Sequence, residues 1–107
     1  RRDFIHVADA VKINLHFYQT KSSGIFNAGT GKSRSFTDIA RAMQEINGSG
    51  EIEDIPFPKD LSGKYQKFTE ASLDNLRQAG FSEDFMSLEE GIKKYYDHLS
   101  SSNGLYI

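Results

Sequence analysis

The chain contains no cysteine and no tryptophan, and only two prolines among its 107 residues. Without cysteine there is no disulfide framework, no thiolate metal site and no cysteine nucleophile, and thiols say nothing about compartment. Long apolar runs are missing as well: none approaches the roughly 20 residues a membrane-spanning helix needs. The opening Arg1-Arg2-Asp3-Phe4 lacks the apolar stretch of a signal peptide. Nor is there an excess of positive charge. Thirteen Lys and Arg stand against 15 Asp and Glu, a net charge of −2, which argues against nucleic-acid binding. The length suits one domain. The first residue is arginine rather than methionine, as expected of a processed chain or a piece of a longer protein.

What is present alternates between strand-like and helix-like patterns. Phe4-Ile5-His6-Val7 is a run of strand formers, and Asp9 is placed to cap a helix over about 10–20. Val7, Val11, Leu15 and Tyr18 recur at helical spacing and predict a buried face. Ile25-Phe26-Asn27-Ala28 reads as a second strand ending in the turn Gly29-Thr30-Gly31. A strand between helices is the arrangement of an α/β fold. Ser35 caps an amphipathic helix with Phe36, Ile39, Ala40, Met43 and Ile46 on one side and Asp38 in its first turn, and Asn47-Gly48 stops it.

The second half is less regular. Glu51 to Ile55 alternates like an edge strand and meets Pro56, and 56–67 forms a long loop of the kind that often carries function. Phe68-Thr69 suggests a brief strand. Ser72 caps a short helix with Leu73 and Leu76 inward, closed by Gly80. Ser87-Leu88-Glu89-Glu90 has the form of a capping box, and the helix behind it presents Leu88, Ile92, Tyr95 and Leu99. The tail from Ser100 to Gly104 is expected to fray.

Several familiar site patterns fail on inspection. Gly31-Lys32-Ser33 ends like a phosphate loop, but Phe26 stands where the first glycine of that motif belongs. Gly29 and Gly31 begin a dinucleotide fingerprint that Arg34 breaks, and no Tyr-x-x-x-Lys pair occurs. His6, His16 and His98 make no close ligand pair, and no G-x-S-x-G elbow is present. Lys59, Lys64 and Lys67 among Phe57, Tyr65 and Phe68 read as a solvated loop rather than a platform for stacking single-stranded nucleic acid. Two positions stay open. Arg2 is either a phosphate-gripping fork or half of a surface arrangement with Asp3. Tyr65 is either a ligand-contacting ring with a hydroxyl or a packing residue.

Longer segments resemble a known family. Arg2-Asp3-Phe4-Ile5-His6-Val7-Ala8-Asp9, Phe26-Asn27-Ala28-Gly29-Thr30-Gly31 and Leu88-Glu89-Glu90-Gly91-Ile92 resemble the C-terminal part of extended short-chain dehydrogenase/reductases that act on nucleotide sugars. One branch is more similar than the others, the ADP-L-glycero-D-manno-heptose 6-epimerases. That likeness rests on Gly24-Ile25-Phe26-Asn27, on Ile52-Glu53-Asp54-Ile55-Pro56-Phe57-Pro58, on Leu61-Ser62-Gly63-Lys64-Tyr65-Gln66-Lys67-Phe68-Thr69 and on Leu73-Asp74-Asn75-Leu76-Arg77-Gln78-Ala79-Gly80.

The resemblance implies an α/β fold: the C-terminal portion of a Rossmann-type enzyme, mostly its smaller substrate-binding lobe. Residues of about 6–32 and 67–80 would complete the nucleotide-binding lobe, with no complete cofactor domain within 1–107. It implies an NADP-dependent isomerase that oxidises C6 of the heptose and returns the hydride to the opposite face. The product would feed lipopolysaccharide inner-core synthesis in the cytoplasm. By the same likeness, Arg2 and Tyr65 contact the ADP-sugar, the catalytic and NADP-binding residues lie upstream, and the protein is a homo-oligomer, a pentamer; the charge, the short apolar runs and the scattered histidines add the expectation of no nucleic-acid, membrane or metal partner. The 107-residue chain alone would be inactive. Two alternatives stand beside it: an epimerase or dehydratase for another nucleotide sugar, and a small non-catalytic α/β interaction module.

Overall fold

Helix caps written into the sequence decide most of what forms. The structure, a computed structural model, describes residues 1–103. Within them lie α1 (Val7–Thr20), α2 (Phe36–Asn47), α3 (Asp74–Gln78) and α4 (Leu88–Ser101). A two-stranded antiparallel ladder joins β1 (Arg2–Asp3) to β2 (Ser33–Arg34), with Arg2 opposite Arg34 and Asp3 opposite Ser33. The result is a small α/β arrangement.

The caps of α2 follow the sequence closely. The Ser35 hydroxyl accepts the Asp38 amide at 3.0 Å, and the Asp38 carboxylate accepts the Ser35 amide at 3.0 Å. Gly48, at φ 76°, closes the helix in the left-handed region that glycine enters without strain. In α4 the Ser87 hydroxyl accepts the Glu90 amide at 3.1 Å, while the Glu90 carboxylate returns to the Ser87 hydroxyl rather than to its amide. Helix α1 starts earlier than its expected cap: His6 takes that place, its Nδ1 accepting the Ala8 amide at 3.0 Å. Asp9 instead lies buried in the first turn, where its carboxylate accepts the Met86 amide at 2.8 Å and ties α1 to the segment before α4. Leu73, not Ser72, precedes α3, with no side-chain cap.

The core is thin. Ile13, Leu76 and Phe81 are buried together, with Ile5, Phe17, Leu73 and Phe85 packed around them. Helices α2 and α4 lie against each other. Arg34 links them, its guanidinium donating to both Glu89 oxygens at 2.6 and 3.2 Å and to Asp38 at 3.3 Å. The Cα radius of gyration is 16.5 Å, against about 13 Å for a compact domain of this length.

Several expected elements do not form. No strand occurs at 4–7, 25–28, 51–55 or 68–69. Strand formers need a neighbouring edge to bond to, and here the ladder ends after two residues. Thr69 keeps one link of the expected kind, its amide donating to the Arg1 carbonyl at 3.0 Å. The expected buried stripe of α1 faces outward: Val7, Val11 and Leu15 are half exposed and Tyr18 is 82% exposed, while Asp9, Ile13 and Phe17 face inward. Phe36, Met43 and Tyr95 are likewise about half exposed. Residues 56–67 form the expected irregular loop, with one 3-10 turn at Lys59–Leu61. Helix α4 holds through Ser101, beyond the expected onset of fraying, and Gly104 lies outside the described residues.

Candidate functional site

Arg2 projects from β1, and two backbone bonds bring a distant loop beside it. The Arg1 amino group donates to the Lys67 carbonyl at 2.6 Å, and the Thr69 amide donates to the Arg1 carbonyl at 3.0 Å. The residues just before them, Tyr65 and Gln66, therefore meet the Arg2 side chain. The guanidinium carbon lies 4.6 Å from the Tyr65 ring centroid, within cation–π range. Arg2 Nη1 donates to Gln66 Oε1 at 3.2 Å. Tyr65 in turn packs on Phe57, with ring centroids 5.6 Å apart and planes at 58°.

The two sequence candidates thus share one surface patch. Gln66 engages Arg2 Nη1, and the rest of the guanidinium stands beside the Tyr65 ring of an exposed loop. A guanidinium beside a phenol is chemically suited to a phosphorylated polar ligand. Asp3 is not the partner of Arg2, so the surface-pair reading of Arg2 does not describe this structure.

Asp3 has a different task, one that sequence reasoning missed. Its carboxylate accepts the Thr30 amide and hydroxyl, the Gly31 amide at 2.8 Å and the Ala71 amide at 3.0 Å. Burial alone would push this carboxyl up, but the bonds from Thr30, Ala71 and Gly31 outweigh burial and hold it below the ordinary aspartate value. Gly29 is buried beside it, with no room for a side chain: an added Cβ would meet Ala71 Cβ and Asp3 Oδ2, each at 2.7 Å. The signal was indirect, a Gly-Thr-Gly turn whose backbone amides need acceptors.

That geometry also bears on cofactor binding. A glycine turn cradles phosphate only if its amides are free. Here those of Thr30 and Gly31 are spent on Asp3, so the turn does not fit a dinucleotide. The histidines hold structure: His6 caps α1, and His16 Nε2 lies 3.0 Å from the Ala79 carbonyl. Among the described residues, no group of three or more His, Asp or Glu could hold a metal ion. No described helix is long and apolar enough to cross a membrane. A cleft of about 360 Å³ lies between Lys32, Arg34, Arg77 and Asp84, and both of its arginines are engaged within the fold. Its Arg34 serves Glu89 and Asp38, and its Arg77 donates to the Phe81 and Glu83 carbonyls.

Over 104 residues, 96% of its length, the chain is 49% identical to a curated ADP-L-glycero-D-manno-heptose-6-epimerase from Brachyspira hyodysenteriae. It is a relative of the heptose 6-epimerases. The chain spans 33%, about one third, of the length of that curated relative. No protein-family model matches it. The likeness to the heptose epimerases read from Ile52–Pro58 and Leu61–Thr69 therefore holds across nearly the whole chain.

Proposed function

We propose that this chain is the C-terminal, substrate-gripping part of an NADP-dependent epimerase that inverts C6 of ADP-glycero-manno-heptose through a transient 6-ketone. One observation carries the reading: in a chain 49% identical to a heptose epimerase, Arg2 and Tyr65 meet at 4.6 Å. In this reading the Arg2 fork holds the ADP-sugar through phosphate oxygens, and Tyr65 contacts the ligand with its ring edge and hydroxyl. The cofactor and the residues that move hydride and proton belong to the remaining length of the enzyme, since the Gly29-Thr30-Gly31 turn does not fit NADP. The product would serve lipopolysaccharide inner-core synthesis in the cytoplasm, and the enzyme would work as a homo-oligomer, a pentamer.

The exposed stripe of α1 supports the same reading. Val7, Val11, Leu15 and Tyr18 form an apolar helix face that water does not favour, and Ile25 beyond it is 93% exposed. The remainder of an epimerase-length chain is the occupant we assign to that face, with 6–32 and 67–80 completing its nucleotide-binding lobe. A self-contained interaction module would instead close its own core, and the expanded radius and thin core do not favour that. The test is turnover of ADP-heptose by an epimerase-length protein carrying this sequence, with and without Arg2→Ala. Inversion at C6 that is weakened by the variant supports the reading. Turnover of a different nucleotide sugar, or none, overturns it.

A further inference from the structure

We infer that Phe57 and Gln66 are positioning residues that hold the Arg2–Tyr65 pair ready for its ligand. The inference rests on the ligand-gripping reading above, but its structural half stands on geometry alone. Residues 49–68 are all exposed, so Tyr65 sits on a segment with no core beneath it. A side chain on such a segment ordinarily samples several rotamers, and ordering it on binding weakens affinity by about two- to twelvefold.

The loop is built to limit that sampling. Pro56 and Pro58 fix the backbone on either side of Phe57, and Pro58 holds Phe57 itself in the extended region. The chain then reverses through consecutive tight turns. The Leu61 amide donates to the Pro58 carbonyl, Ser62 to Lys59 and Lys64 to Leu61, each at 3.1 Å. Gly63, at φ 77°, supplies the left-handed step. This returns the chain so that Tyr65 lands 5.6 Å from the Phe57 ring, and the ring pair closes the base of the loop. The next residue, Gln66, accepts Arg2 Nη1 at 3.2 Å, which restrains the plane of the fork beside the Tyr65 ring. Neither Phe57 nor Gln66 needs to touch the ligand for these effects.

Two measurements test this. In the 107-residue chain, NMR of Tyr65 reads the ring current of Phe57. Phe57→Leu is expected to shift the Tyr65 ring resonances while those of Tyr18 stay in place, and unmoved Tyr65 resonances would overturn the brace. In an epimerase-length protein, Phe57→Ala and Gln66→Leu are expected to raise KM for ADP-heptose about five- to tenfold, the size of one lost ordering contact, with kcat within about twofold. Phe57→Tyr is expected to restore KM. Unchanged KM in both variants, where Tyr65→Ala raises it, overturns the inference. Where the unsubstituted protein does not turn over ADP-heptose, the functional reading is what fails, and the Tyr65 resonances still decide the brace.

Discussion

The Asp3 carboxylate accepts the Ala71 amide at 3.0 Å across 68 positions of sequence, while holding the Gly31 amide at 2.8 Å. Three separate stretches of chain are joined by one side chain that stands next to Arg2. Asp3→Ala leaves those amides without an acceptor, and the expected loss is about 2–3 kcal/mol, read as a lower urea midpoint. The charge adds a pH dependence. Bonds from Thr30, Ala71 and Gly31, working against burial, place the folded-state pKa below the unfolded one. The folded chain therefore keeps this carboxylate ionised where the unfolded chain takes up a proton. Its contribution is whole above the unfolded value of about 3.9 and is lost as pH falls through the lowered folded value. Midpoints measured from pH 6 to pH 2.5 are expected to fall more steeply in the unsubstituted chain than in Asp3→Asn. Parallel slopes would remove Asp3 from this role.

Gly29 and Gly91 are predicted to respond to alanine with opposite signs. A Cβ at Gly29 meets the Ala71 Cβ and Asp3 Oδ2 at 2.7 Å, and neither can swing away without breaking the junction. Overpacking of this kind costs about 1–3 kcal/mol. At Gly91, inside α4, the nearest atom is His6 Cβ at an ordinary 3.5 Å. There alanine relieves the entropic penalty of a helical glycine and is expected to stabilise by about 0.5–1 kcal/mol. Thermal midpoints of the two single variants decide it: Gly29→Ala below the parent, Gly91→Ala above.

These junctions explain what the sequence did and did not reveal. The caps at Ser35, Gly48 and Ser87 were legible because cap chemistry acts within four residues. The irregular loop at 56–67 was legible from its prolines and lack of period. The strands at 4–7 and 25–28 were not, because a strand forms only when another edge lies beside it. The stripe on α1 had a true helical period, yet its inward face carries Ile13 and Phe17 instead. Arg2 and Tyr65 were recognisable through family likeness, whereas their contact depends on Arg1 meeting Lys67 and Thr69. Asp3 stayed hidden because its partners lie 27 to 68 positions away.

The α1 stripe yields a prediction that depends on context. In the 107-residue chain, Leu15 is 50% and Tyr18 82% exposed, so Leu15→Lys with Tyr18→Lys is expected to leave stability within about 0.5 kcal/mol. Self-association, followed by sedimentation, should fall. In an epimerase-length protein the same face is covered under the proposed reading. Burying two unpaired ammonium groups there would cost several kcal/mol and lower expression and thermal midpoint together. Equal tolerance in both settings would show that nothing covers this helix.

The Arg2–Tyr65 patch can be dissected by taking its groups away one at a time in an epimerase-length protein. Arg2→Ala removes a charged donor and is expected to weaken ADP-sugar binding by about 1.5–3 kcal/mol, roughly 10- to 150-fold. Arg2→Lys keeps the charge but loses the planar fork beside the Tyr65 ring, so it should recover only part of that loss. Tyr65→Phe removes the hydroxyl and preserves both ring contacts, the Arg2 guanidinium at 4.6 Å and Phe57 at 5.6 Å. A loss confined to Tyr65→Ala assigns the ring as the working part; a loss already present in Tyr65→Phe assigns the hydroxyl. Binding to ADP alone separates phosphate from sugar: Arg2→Ala should weaken ADP and ADP-heptose by the same factor if the guanidinium grips phosphate. Unchanged dissociation constants for Arg2→Ala and Tyr65→Ala would leave the pair a surface contact with no part in recognition.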